Sequence, residues 1–226
     1  MRLLDLDSWP RRAQYELYRS CADPFFDLAV RLHTPGLSQR CREAGWSPFP
    51  VIVAGLCEAM RGSEPLRMRI RGEQVVVHET VHPSWVVRAE DGRLGFARGQ
   101  ALDELPAQLD AILQATAQTR AAPSIASPHQ RDDLFYVSSL APLDLLGVHP
   151  DRSGLPDDCV PRFFWGRLHP DHLVLALSVH HALVDGMHLP PFVGELEAAL
   201  SRPLPPSTRA RSPSGSPPRS PRRSPA

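Results

Sequence analysis

Leu173-Val174-Leu175-Ala176-Leu177-Ser178-Val179-His180-His181-Ala182-Leu183-Val184-Asp185-Gly186 is the stretch around which the chain is organised. Leu173 to Leu177 has the length and apolar character of a buried strand. Two histidines follow, and then Asp185-Gly186, a pair that favours a turn. Beyond Pro190-Pro191, Phe192-Val193, Leu196 and Ala199-Leu200 stand at helical spacing. The reading is a strand, a polar corner and a helix, with a pair of imidazoles where the strand ends.

Histidine has the unperturbed pKa nearest neutrality, so it is the first candidate for a general base. Neighbouring side chains in a strand point to opposite faces, so only one of His180 and His181 can face a given cleft. Asp185 follows an apolar segment, and a buried carboxylate needs a cationic partner. Gly186 permits a positive φ or a close backbone approach. Adjacent histidines on opposite faces do not converge on one ion, so His180, His181, Asp185 and His188 are not expected to hold a metal.

The chain has 226 residues and zero formal net charge, and it contains no lysine. The charge is unevenly placed. The last 26 residues carry six Arg and no acid, which leaves 19 Arg against 25 Asp and Glu in the rest, or −6. A mildly acidic body excludes the basic footprint of a nucleic-acid binder. Cys21, Cys41, Cys57 and Cys159 form no C-x-x-C pair and suggest neither zinc nor a disulfide framework. The Arg2-Leu3-Leu4 opening runs at once into acids and Trp9-Pro10, unlike a signal peptide. No apolar run approaches the roughly 18 residues of a membrane span. A cytoplasmic, soluble protein is expected.

Along the chain, Ser8 is placed to cap a short helix through Tyr15, Leu17, Tyr18 and Arg19. Phe25–His33 reads as a strand, Leu37–Ala44 as a helix, and Phe49 to Met60 as a longer apolar helix. Leu66–Ile70 and Gln74–Glu79 form a hairpin across Arg71-Gly72-Glu73. A second hairpin turns at Asp91-Gly92, and Leu102–Thr119 is amphipathic through Leu102, Leu105, Leu109, Ile112 and Leu113. His78 and His82 are read as solvated strand-edge residues. Ala121–Asp133 is a Pro/Ser-rich connection. Leu134–Leu140 and Arg162–Leu168 are strands, and His169-Pro170-Asp171 is a tight turn before the motif strand. From about Ser201, Pro, Ser and Arg dominate to Ala226. Nothing there offsets the entropy of ordering, so residues 201–226 are expected to be a disordered tail behind a domain of residues 1–200.

The run His180-His181-Ala182-Leu183-Val184-Asp185-Gly186 fits a His-His-x-x-x-Asp-Gly pattern without a gap, and here the sequence resembles the chloramphenicol acetyltransferase family of coenzyme A-dependent acyltransferases. Ser8-Trp9-Pro10-Arg11-Arg12 through Glu16-Leu17-Tyr18-Arg19 is similar to the family's opening pattern. Leu66-Arg67-Met68-Arg69-Ile70 and Pro83-Ser84-Trp85-Val86-Val87 match further family features. The resemblance covers roughly residues 3 to 200. Dihydrolipoyl acyltransferases share the motif, and that reading is the less expected one, since no lipoyl domain or linker is read ahead of the fold.

The resemblance implies an α/β two-layer sandwich with a mixed β-sheet, and a homotrimer whose sites lie between subunits. It implies acetyl-CoA as co-substrate, with no metal, and direct O-acetylation of chloramphenicol. His181 would be the general base, and Ser138 would donate to the oxyanion. Asp185 and Arg11 would form a buried ion pair that holds the corner, and Tyr18 would line the acceptor pocket. After Ser138 the family's Pro-Trp is replaced by Ala141-Pro142, followed by Leu143-Asp144-Leu145-Leu146-Gly147. That departure keeps open a different small hydroxyl or amine acceptor, and also a non-catalytic binding or assembly relative. Small-molecule acceptor and acetyl-CoA are the partners expected, without nucleic acid or membrane.

Overall fold

The computed structural model describes residues 1–125, 131–152, 154 and 157–207. They form five α-helices and nine strands. In order they are β1 (Arg2–Leu3), α1 (Arg12–Arg19), β2 (Phe25–His33), α2 (Leu37–Ala44), α3 (Pro48–Gly62), β3 (Met68–Arg71), β4 (Gln74–Val77), β5 (His82–Arg88), β6 (Leu94–Arg98), α4 (Leu105–Ala121), β7 (Leu134–Ser139), β8 (Arg162–Leu168), β9 (His172–His180) and α5 (Leu189–Ser201).

The large sheet has six strands in the order β2-β9-β8-β7-β5-β6, and the small sheet has three, β1-β4-β3. β7 runs parallel to both β5 and β8, and the other pairings are antiparallel. The large sheet is therefore mixed, as the α/β reading implies. Helices α3, α4 and α5 pack together and against its strands. β9 is flanked on both sides, and Leu175 to His180 are all buried. Burial of both strand faces explains why its sequence is continuously apolar rather than alternating.

Arg69, in β3, ties the small sheet to the large one. Its side chain is fully buried, and its guanidinium donates to the carbonyls of Leu66, Met68, Asp132 and Leu134 at 2.6–2.9 Å. Carbonyl dipoles substitute for an acid, which offsets the cost of burying the charge. Leu134 opens β7, so this contact fixes where the Ser138 strand enters the sheet.

Several local expectations are corrected. Ser8 does not cap α1: its hydroxyl donates to Asp5, and Arg11 occupies the cap position without a side-chain bond. Leu66 and Arg67 lie in a 3-10 turn before β3 rather than in the strand. Leu102 lies outside α4. Its N–H donates to the Gln108 side chain at 2.6 Å, which brings the amide of Gln108 into the core. His78 is buried, with Nε2 3.1 Å from Asp132 Oδ1, and the Nδ1 of His82 accepts the Ala101 N–H at 3.0 Å. Neither lies on a solvated edge: His78 directly follows β4 and His82 opens β5, and both strands are flanked on both sides. Part of the composition-defined tail is packed: Trp46 Nε1 donates to Pro205 O and the Ser207 N–H to Ala44 O. Residues 208–226, and 126–130 of the Pro/Ser connection, lie outside the described residues.

Candidate active site

β9 ends at His180, and the chain then turns through residues 181–185 into a short 3-10 turn, Gly186–His188, and α5. The two imidazoles separate as the pleat requires. His180 is buried, with its ring edge-on to Phe25 at 5.4 Å and Nδ1 accepting the Ala182 N–H at 3.3 Å. Burial pushes its pKa down to about 4, so it is neutral at pH 7.

His181 faces the other way and is partly open to solvent. Its backbone N–H donates to Pro24 O at 2.7 Å, which anchors the corner to the residue before β2. Tyr18 stacks on the imidazole with centroids 3.7 Å apart, and Phe26 packs at 4.6 Å. Nδ1 lies 3.2 Å from the Val184 carbonyl. A carbonyl can only accept, so in the neutral ring Nδ1 carries the hydrogen and the lone pair is on Nε2.

The corner is braced from below. Arg11 Nη2 donates to Asp185 Oδ2 at 3.1 Å, and Nη1 donates to Leu183 O at 2.7 Å. The two side chains are 14% and 24% exposed, so the pair is largely but not wholly withdrawn from water. Asp185 Oδ1 accepts the Met187 N–H at 3.1 Å. Burial pushes the Asp185 carboxyl upward, but the Met187 N–H and the positive charge of Arg11 outweigh it and hold it below its usual range. Arg12 instead forms surface pairs with Asp7 and Glu16. Gly186 does not have a positive φ, and a Cβ there would meet nothing within 4 Å. Within the single chain, neither backbone conformation nor space requires a glycine at 186.

Phe26 escaped sequence reasoning as part of this corner, and so did the capping role of His188, which the sequence raises only as a candidate metal ligand. His188 Nδ1 accepts the Asp185 N–H at 3.0 Å, completing a reciprocal cap. The Asp185-x-x-His188 spacing carries the signal, because it matches N-cap and N3 positions. Among the described residues no cluster of three or more His, Cys, Asp or Glu could hold a metal.

Ser138 is elsewhere. It lies on β7 opposite Phe164 of β8, which lies opposite Ala176 of β9. Two strand spacings and five residues along β9 separate it from His181, roughly 15–20 Å within one chain. Ser138 lines a cavity of about 620 Å³ with Phe49, Trp85, Ser139, Arg88 and Arg120. Neither arginine forms an ion pair among the described residues. The structure thus brings Arg11, Tyr18, His181 and Asp185 together, and leaves Ser138 at a separate cavity of the same chain.

A family model for chloramphenicol acetyltransferase matches residues 1–197. Chloramphenicol acetyltransferase 3 of Escherichia coli is 22% identical over 202 residues, covering 85% of this chain and 93% of that protein. A chloramphenicol acetyltransferase of Streptomyces acrimycini is 28% identical over 215 residues, covering 88% and 94%. Among solved structures, a chloramphenicol acetyltransferase superposes with a TM-score of 0.76 at 19% identity, covering 88% of this chain and 99% of that one. The dihydrolipoamide acetyltransferase of Azotobacter vinelandii superposes at 0.60 with 15% identity, covering 84% and 86%, and shows the shared fold. The strand-corner-helix of residues 172–201 and the match over nearly the whole folded chain place this protein in the chloramphenicol acetyltransferase family, as an acyltransferase.

Proposed function

We propose that the protein transfers acetyl directly from acetyl-CoA to the hydroxyl of chloramphenicol, with His181 as general base. The observation that carries this reading is the pose of His181: Nδ1–H is held by Val184 O, the ring is clamped by Tyr18, and Nε2 has no hydrogen bond among the described residues. Nε2 takes the proton of the acceptor hydroxyl as its oxygen bonds to the thioester carbonyl carbon. The Ser138 hydroxyl donates to the resulting oxyanion, a contact worth about 2.7–4 kcal/mol. Collapse breaks the C–S bond, and the leaving thiolate recovers the proton from the imidazolium. The products are the acetyl ester and coenzyme A.

Base and oxyanion donor must both lie within about 3 Å of reacting atoms. The separation of His181 from Ser138 supports a site shared by two copies, each histidine reaching a neighbour's Ser138 cavity, and a homotrimer is the assembly that the family resemblance implies. Arg88 and Arg120 give that cavity a cationic rim suited to a phosphorylated co-substrate. Arg11 and Asp185 act structurally, and Tyr18 serves both the histidine and the acceptor. No helix among the described residues is long and apolar enough to cross a membrane, which is compatible with a cytoplasmic setting.

One feature favours a second acceptor. The segment after Ser138 lacks the family's Pro-Trp and presents Leu143 and Leu146 to solvent, so another small hydroxyl or amine compound could replace chloramphenicol. Thiol release from acetyl-CoA, assayed with chloramphenicol and a panel of small alcohols and amines, separates the two. His181→Ala should abolish release on whichever acceptor is used while leaving folding intact. Release at the wild-type rate in that variant would remove His181 from the chemistry.

A further inference from the structure

We propose that His188 is a positioning residue of the acetyl-transfer site: as a neutral cap it holds Asp185 where Arg11 can grip it, and its protonation releases that grip. The inference rests on the reading of His181 as the base, but its structural half can be tested without turnover.

Asp185 is held at three points. Its Oδ2 accepts from Arg11, its Oδ1 accepts from the Met187 N–H, and its own N–H donates to His188 Nδ1 at 3.0 Å. The last contact fixes the protonation state. A nitrogen that accepts an N–H cannot carry a hydrogen itself, so His188 is the neutral tautomer with its proton on Nε2. The same Nδ1 lies 3.9 Å from Asp185 Oδ1. A proton added to Nδ1 would point at the Asp185 N–H, another donor. The capping bond must then break, and the carboxylate that Arg11 holds, 3.9 Å away, is an anionic acceptor for the new N–H. Protonation therefore exchanges a backbone cap for a second cation competing for Asp185.

Two charged groups face His188. Arg11, from the residue before α1, opposes its protonation, and Asp185, from the corner itself, favours it. Burial at the start of α5 is the main influence and Arg11 adds to it, and together they outweigh Asp185 and hold the imidazole below its ordinary range. The cap is therefore intact at neutral pH and is lost only as the medium becomes acidic. Arg11 also donates to Leu183 O, and Leu183 lies two residues from His181. A change in its grip thus reaches the turn that carries the base.

The test is a nitrogen-15 NMR titration of the full chain, labelled at histidine and arginine, from pH 8 to 5. The expected result is His188 in the Nε2–H form at pH 8, titrating below the value of a free histidine. The Arg11 guanidinium signals should move at that same midpoint. In His188→Asn, whose amide oxygen can accept the same N–H but cannot titrate, they should stay still. An Nδ1–H form at pH 8, or Arg11 signals that ignore the His188 midpoint, would overturn the proposal.

A kinetic arm uses acetyl-CoA and chloramphenicol. His188→Asn should keep kcat within about two-fold at pH 8 and lose activity less steeply in acid than wild type. His188→Ala should lose about ten-fold in kcat with KM unchanged, the size of one lost hydrogen bond at a positioned group. Equal losses at every pH in both variants would show a merely structural residue. If no acceptor is turned over but the NMR linkage holds, the capping inference stands and the reading of His181 falls.

Discussion

The ring of Tyr18 lies face to face with that of His181, with centroids 3.7 Å apart and planes 13° from parallel. The phenol face occupies one side of the imidazole, and Phe26 closes much of another. The aromatic surface, rather than the hydroxyl, restricts rotation of the His181 ring. Tyr18→Phe should therefore retain kcat within about two-fold, while Tyr18→Ala should lose about ten-fold, matching the roughly 0.5–1.5 kcal/mol of an aromatic pair. A larger loss in Tyr18→Phe than in Tyr18→Ala would assign the role to the hydroxyl. Steady-state kinetics of both variants decide it.

Arg11→Ala would strand the Asp185 carboxylate and the Leu183 carbonyl. The pair is partly exposed, so the loss should fall below that of a fully buried pair, at about 2 kcal/mol by urea denaturation. Asp185 has a depressed folded pKa, so its contribution is complete above its unfolded value near 4. That contribution disappears as pH falls through the lower folded value. Removing Arg11 should shrink this acid-labile part of the stability.

His180 sets a second pH dependence, in a higher range. It is neutral and buried in the fold with a pKa near 4, against about 6.5 when unfolded. The unfolded chain therefore binds the proton first. Stability is complete above pH 6.5 and declines as pH falls toward 4, by about 3 kcal/mol over the window. Comparing urea midpoints at pH 7 and pH 5 for wild type and His180→Asn should show a smaller drop in the variant.

Gly166 lies beneath the segment that follows Ser138. A Cβ there would lie 2.7 Å from Leu145 Cβ and 3.0 Å from Leu145 N, and would also strike the Leu143 carbonyl. The nearest obstacles include backbone and cannot swing away. Gly166→Ala should displace residues 143–145 and cost about 1–3 kcal/mol. If this segment recognises the acceptor, KM for the acceptor should rise while KM for acetyl-CoA stays constant.

Where the sequence carried a periodic signal, the structure was legible. The apolar run 173–177, the turn chemistry at 185–186 and the spacing of 192–200 located β9, the corner and α5. Arg11 could be assigned to Asp185 only through the family resemblance, because 174 residues separate them. Sheet order was not legible. His78 and His82 could not be recognised as interior residues without knowing that β4 and β5 are flanked on both sides. The same gap hid the distance between Ser138 and His181, which depends on β8 lying between β7 and β9. The cap at α1 failed because Asp5 competes for the Ser8 hydroxyl, and a propensity does not see competitors.

The distance between Ser138 and His181 has a consequence for mixtures. A copy lacking the imidazole still has a sound serine cavity, and a copy lacking the serine still has a sound imidazole. Co-refolded in equal amounts, two dead populations should revive one another. Random assembly would join intact halves at about one boundary in four. Complementation between His181→Ala and Ser138→Ala would thus reveal, by the return of turnover alone, that each catalytic centre draws on two copies.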